Sequence, residues 1–167
     1  MDKELQTLSQ TVGNALLDQN YWISTAESCT GGLLSHVLIA NSGSSAYFKG
    51  GIVAYSNEIK EKVLGVQAAT LQAYGAVSEQ TAREMAEGIR EKFGTDIGLS
   101  TTGIAGPKGG TPDKPIGLVW MGISTSGHTM TFECHFKGER LDIMRSTVIE
   151  ILTFLLNQFK PSKKRGI

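Results

Sequence analysis

TAESCTGG, residues 25–32, joins an apolar, β-branched run from Tyr21 to Ala26 to a segment in which Leu33, Leu34, Val37 and Leu38 recur at helical spacing. It reads as a strand, a tight turn and a helix that starts at the turn. Two terminal glycines let the backbone bend sharply, and Ser28 stands where nucleophiles and phosphate-binding amides collect. Upstream, Leu5, Leu8, Val12 and Leu16 share one helical face. Downstream, NSGSSA is a loop by composition and GIVAY (51–55) a short strand. NEIKEKVLGV predicts a helix opening at Asn57, a residue type that favours N-caps. Ser78 is the predicted cap of a helix whose buried stripe is Ala82, Met85, Ala86, Ile89 and Phe93. DIGLSTT, IGLVWMGIS and TMTFECHFK are strand candidates, the last two joined as a hairpin through a Ser/Gly turn. A long final helix is expected to bury Leu141, Met144, Val148, Ile151, Leu155 and Phe159. Helices alternating with strands early and a hairpin late give the α/β class: a three-layer α/β/α sandwich with a mixed β-sheet. Ligands in such sheets collect at strand ends, where loops meet helix starts.

The composition narrows the function classes. With 167 residues, 40% hydrophobic and 19% charged, the chain fits one domain over 1–160, followed by a basic tail (161–167) expected to be disordered. Acidic and basic residues balance at 16 each, so no field of the kind that gathers nucleic acid is expected. The start lacks a basic segment followed by an apolar one, and no uncharged apolar run nears the ~20 residues of a membrane span. A cytoplasmic protein without a membrane partner is the expectation. Cys29 and Cys134 are too few and too far apart for a disulfide scaffold or a CxxC zinc site, so reduced thiols and no metal are expected.

Chemistry-bearing residues cluster in three segments. Ser28 reads either as a nucleophile beside amides that can hold an oxyanion or as a helix N-cap serine. Cys29, at a helix start, is either a rival nucleophile or a small buried hydrophobe, and no histidine lies near it in sequence. His36, His128 and His135 have no motif around them and read as structural or surface residues. Tyr55 and Lys60 close a strand and enter the next helix, which can bring them to the rim occupied by Ser28. A desolvated lysine is neutral often enough to take a proton, whereas Lys49 and Lys62 read as solvated charges. TTGIAGPKGGTPDKPIG (101–117) is long, rich in Gly and Pro, and placed to wrap a small ligand. It is neither a Walker A loop nor a GxGxxG turn.

Taken together, these segments resemble the C-terminal amidase domain of CinA-type proteins, which also exists as a stand-alone nicotinamide-nucleotide amidase. The resemblance covers about residues 5–158. TAESCTGG, AYSNEIK (54–60), GAVSE (75–79), TGIAGP (102–107) and KPIGLVW (114–120) occur in the family's order and spacing. It implies hydrolysis of the carboxamide of nicotinamide mononucleotide to nicotinate mononucleotide and ammonia, with Ser28, Tyr55 and Lys60 as the catalytic group and neither metal nor cofactor. Glu27, Thr30, Gly31, Gly32, Asn57, Thr102, Gly103, Arg140 and Arg145 are the expected substrate-binding residues. The SCTGG amides and the two arginines are assigned to the phosphate. A homodimer or higher homo-oligomer is the expected assembly. The chain departs from the family pattern at Met144, where an arginine is usual, and at Leu118, where a threonine is common. The alternative reading is a paralogue with weak or no catalysis that binds a nucleotide-like ligand or acts as a regulatory domain.

Overall fold

The computed structural model describes residues 2–159, so the predicted basic tail lies outside the described residues. The described chain runs α1 (Lys3–Gln19), β1 (Ile23–Glu27), α2 (Leu33–Ile39), a 3₁₀ turn (Ser44–Ala46), β2 (Phe48–Val53), α3 (Asn57–Leu64), α4 (Ala68–Tyr74), α5 (Glu79–Phe93), β3 (Ile97–Gly103), β4 (Leu118–Ser124), β5 (Thr129–His135) and α6 (Arg140–Phe159). The five strands form one sheet in the order β2-β1-β3-β4-β5. β1 pairs in parallel with β2 and β3, whereas β4 pairs antiparallel with β3 and β5. This is the mixed sheet expected of the α/β class.

Connectivity dictates the layers. The chain steps sideways from β1 to β2 through α2, then back past β1 to β3 through α3, α4 and α5. Two right-handed crossovers in opposite directions put their helices on opposite faces of the sheet. One face therefore carries α1, α2 and α6 over a core that includes Val12, Leu16, Leu34, Leu38, Val148 and Ile151. The other carries α3, α4 and α5 over a smaller cluster, with Leu64, Leu71, Met85 and Ile89 at its centre. The central strands β1 and β3 are buried almost throughout, while edge strand β2 alternates half-buried and exposed residues. α5 lies almost in backbone contact with the sheet and with α3. A Cβ on Gly98 would stand 2.2 Å from the Ala86 carbonyl oxygen, and one on Gly88 would stand 1.8 Å from that of Leu64.

Caps set the helix ends. The Ser78 side chain accepts from the Thr81 amide at the start of α5, as the sequence predicts. α3 does open at Asn57, but Ser56 is its cap, accepting from the Ile59 amide. Asn57 is thus the first helical residue. α6 also differs in detail from the predicted stripe: Leu141 is 74% exposed, and Ile143, Thr147 and Leu152 join Val148, Ile151 and Leu155 inside. The buried stripe thus begins at Ile143, two residues later than expected. α4, whose apolar contribution to the core is largely Leu71, has no counterpart among the predicted elements.

Candidate active site

β1, β2 and β3 run in parallel, so their C-terminal ends share one edge of the sheet. The chain leaves β1 for one face and reaches β3 from the other, which opens a crevice between them. A cavity of about 200 Å³ lies there, with Ser28, Tyr55, Lys60, Thr102, Gly103 and Arg140 in its lining.

Glu27, the last residue of β1, shapes the turn that follows. It is fully buried. One carboxylate oxygen accepts from Thr30 Oγ1 at 2.7 Å, the Gly32 amide at 3.0 Å and the Leu34 amide at 2.9 Å. The other accepts from the Ser35 amide at 2.8 Å and Ser35 Oγ at 2.6 Å. An internal carboxylate thus fills the positive N-terminus of α2. Glu27 does not reach the cavity as a substrate ligand, and the Gly32, Leu34 and Ser35 amides are taken from any external phosphate. Thr30 is likewise buried, held between Glu27 and Thr101 Oγ1 at 2.7 Å from each. Gly31 and Gly32 take positive φ of 59° and 101°, which completes the reversal. Gly32 is the N-cap of α2. Ser28 is therefore not a helix cap: its amide donates to the Thr101 carbonyl, its carbonyl accepts from Gly31, and its hydroxyl is left to the cavity.

That hydroxyl meets Lys60. The Nζ atom stands 3.0 Å from Ser28 Oγ and donates to the carbonyls of Ala54 at 2.7 Å and Tyr55 at 3.5 Å. All three partners are neutral oxygens, and the residue is 1% exposed. Burial without a carboxylate partner lowers the Lys60 pKa from its ordinary value. Cys29 behaves oppositely. Its buried thiol is pushed up to about 12 by desolvation, which fits a small core residue rather than a nucleophile.

Tyr55 lines the same cavity, yet the residue is 62% exposed and its hydroxyl accepts from Arg140 Nη2 at 2.9 Å. Lys60 meets Tyr55 through the backbone carbonyl, and the phenol contacts the Arg140 guanidinium rather than the lysine amine. Arg140 also donates through Nη1 to the Gly106 carbonyl at 3.0 Å. It bridges the two lips of the opening.

Three further expected binding residues, beyond Glu27 and Thr30, lie elsewhere or are committed to the fold. Arg145 is bound to Asp2 Oδ2 at 2.7 Å and to the Glu4 carboxylate at the start of α1. Those contacts hold Asp2 down at about 2 and push Arg145 above its ordinary range. Asn57 is exposed on the first turn of α3, outside the lining. Thr102 lines the cavity but donates its hydroxyl to the Ala76 carbonyl at 2.7 Å. Met144, the departure from the family pattern, sits over the turn: its Cε is 3.8 Å from where a Cβ on Gly31 would stand. Leu118 is buried at the head of β4 and does not line this cavity.

Sequence reading missed one part of the cavity lining. It is formed by Ala76 and Val77 in the link from α4 to α5. GAVSE at 75–79 stood out as a motif without a chemical role; its part is structural. The histidines are exposed, and His135 pairs with Glu133 on the surface at 2.7 Å. Among the described residues no cluster of three or more His, Cys, Asp or Glu is placed to hold a metal ion, and no helix is long and apolar enough to cross a membrane.

The comparisons with known proteins agree with this architecture. The family model for the CinA C-terminal domain matches residues 5–159. A CinA-like protein of Dictyoglomus thermophilum is 50% identical over 149 residues, 89% of this chain and 36% of that protein. A CinA-like protein of Cytophaga hutchinsonii is 45% identical over 160 residues, 96% of this chain and 38% of that protein. The chain thus spans a little over a third of the curated relatives it matches. Among solved structures, the competence/damage inducible protein CihA from Agrobacterium tumefaciens superimposes with a TM-score of 0.91 at 36% identity, covering 94% of this chain and 96% of that one.

Proposed function

The chain belongs to the CinA C-terminal domain family, and from that premise and the site's geometry we propose that residues 1–160 act as a serine amidase on the carboxamide of nicotinamide mononucleotide. The observation that carries the reading is the 3.0 Å contact between a buried lysine amine and the Ser28 hydroxyl. A neutral Lys60 takes the serine proton as Oγ attacks the carboxamide carbon. The Lys60 ammonium then gives that proton to the amide nitrogen, the C–N bond breaks, and ammonia leaves an ester on Ser28. Water, deprotonated by Lys60, cleaves the ester to the carboxylate and restores the hydroxyl.

The oxyanion needs donors that are not already used. The Ser28, Gly31, Gly32, Leu33 and Leu34 amides are committed to protein acceptors, and in this reading the donor is the amide of Cys29, a residue of the cavity lining. One such donor contributes about 3–4 kcal/mol to the transition state. A cavity of about 200 Å³ is smaller than the ~300–1,000 Å³ usual for whole ligands. It suits the ring and its carboxamide, with the ribose phosphate lying across the mouth where Arg140 supplies positive charge. In this reading Tyr55 orients Arg140 and closes one side of the mouth; it is not the base.

The test is ammonia release from nicotinamide mononucleotide by the wild type and by Ser28→Ala. Release by the wild type that falls at least about a thousandfold in the variant supports serine amidase chemistry. Release that survives the substitution, or no release from a folded wild type, overturns it.

A further inference from the structure

The Gly/Pro-rich loop from Ile104 to Gly117 is held at both ends of its span by cations. At one end Arg140 donates to the Gly106 carbonyl. At the other the loop supplies its own: Lys114 Nζ donates to the Tyr74 carbonyl at 2.5 Å and to the Val77 carbonyl at 2.8 Å. Lys114 is presented for this by a local turn in which the Lys114 amide donates to Thr111 Oγ1 at 3.1 Å and the Thr111 amide to the Lys114 carbonyl at 2.8 Å. Its target is chemically apt. Tyr74 is the last residue of α4, where a helix presents unpaired carbonyls and a partial negative charge.

The segment between those two carbonyls is the cavity wall. Every carbonyl from 74 to 77 accepts from a side chain: Tyr74 from Lys114, Gly75 from Ser78 and Thr81, Ala76 from Thr102, and Val77 from Lys114. Ser78 and Thr81 belong to the start of α5 and Thr102 to β3, so those bonds tie the wall to the rigid body of the fold. Among the described residues, Lys114 makes the side-chain hydrogen bonds that tie the wall to the 104–117 loop, whose Ala105 lines the cavity. Without its two bonds, Val77 has no side-chain hold on its carbonyl and the C-terminus of α4 loses its cation.

We infer that Lys114 is a positioning residue that sets the width of the substrate cavity by clamping the 74–77 wall to the 104–117 loop. Lys114 does not touch the reacting atoms; it keeps Ala76 and Val77 at the distance at which the ring of the substrate is held against Ser28. The inference rests on the amidase reading for its substrate and on the hydrogen bonds alone for its mechanics. A misplacement of about 1 Å remote from the chemistry costs about a hundredfold, and here that cost falls on how the substrate is held.

The experiment compares wild type, Lys114→Met and Lys114→Arg in three measurements. These are KM and kcat on nicotinamide mononucleotide, the rate of Ser28 sulfonylation by phenylmethylsulfonyl fluoride, and amide hydrogen exchange of the 74–80 segment. For Lys114→Met, kcat/KM falls about ten- to a hundredfold through KM, Ser28 sulfonylation stays within about threefold, and exchange in 74–80 rises. Lys114→Arg, which keeps the cation, recovers most of the loss. Unchanged KM together with unchanged exchange in Lys114→Met overturns the clamp. So does a folded Lys114→Met that loses sulfonylation along with activity, because that places Lys114 in the chemistry. If the wild type releases no ammonia yet exchange in 74–80 rises in Lys114→Met and returns in Lys114→Arg, the clamp stands and the amidase reading falls.

Discussion

Glu27→Gln tests how much of the site is built before any ligand arrives. The amide that replaces the carboxylate keeps one oxygen, which retains the bonds from Thr30 Oγ1 and the Gly32 and Leu34 amides. The nitrogen then faces Ser35, whose hydroxyl can turn to accept but whose amide cannot. One charge-assisted bond is lost, at about 1.5–3 kcal/mol, together with the charge at the α2 N-terminus, at about 0.3–1 kcal/mol. The sum is about 2–4 kcal/mol of stability. At about 2–4 °C per kcal/mol for a chain of this size, the midpoint should drop by about 4–16 °C. Urea denaturation followed by tryptophan fluorescence measures the free-energy change, and thermal denaturation the shift in midpoint. Glu58→Gln is the control: it removes an exposed pair with Lys62 and should shift stability by no more than about 0.5 kcal/mol. A Glu27→Gln variant as mild as the control refutes the claim that the buried carboxylate organises the 28–35 turn.

Two further outcomes follow from the site. Because burial lowers the Lys60 pKa, kcat/KM should rise with pH and level off at an inflection below the ordinary lysine value of about 10.4. Between the folded and unfolded Lys60 values the unfolded chain binds the extra proton, so stability also rises with pH across that window. Lys60→Met should abolish turnover and remove that slope, and a pH-titrated stability series that is identical in the two proteins contradicts the assignment. Met144→Arg places a guanidinium over Gly31, next to a turn whose amides Glu27 already occupies. It should tighten binding of a phosphorylated amide about ten- to a hundredfold and leave its unphosphorylated counterpart unchanged, as read by titration calorimetry with Ser28→Ala in the background.

The layers and most helices were legible because their apolar residues keep a strict period, as in Ala82, Met85, Ala86 and Ile89 of α5. α4 was not, since seven residues with Leu71 as their buried anchor give no period to read. Ser28 and Lys60 were placed on one rim by the strand–turn–helix reading, and the structure brings them into contact. What failed was the assignment of polar residues near the turn. Glu27, Thr30 and Arg145 are chemically suited to bind a nucleotide, and spacing does not reveal that the first two point inward or that the third is bound to Asp2 and Glu4. Tyr55 shows the same limit, because the partner of its hydroxyl lies 85 residues away on α6.

The two cores on opposite faces of the sheet give the site a seam. Ser28 follows β1 and leads into α2, whose apolar residues Leu34, Val37 and Leu38 belong to the larger cluster. Lys60 lies on α3, and the 76–77 wall flanks α4; both helices are fastened through Leu64 and Leu71 to the smaller one. Cooperative units open at free energies set by what they bury, so the smaller unit is expected to open first. On that principle, opening of α3 and α4 as one unit is expected to separate serine and lysine while the larger core remains shut. The assembled pair is therefore itself a reporter: loss of turnover on mild heating should precede loss of the bulk fold, and the interval between them reads the stability of the α3–α4 unit alone.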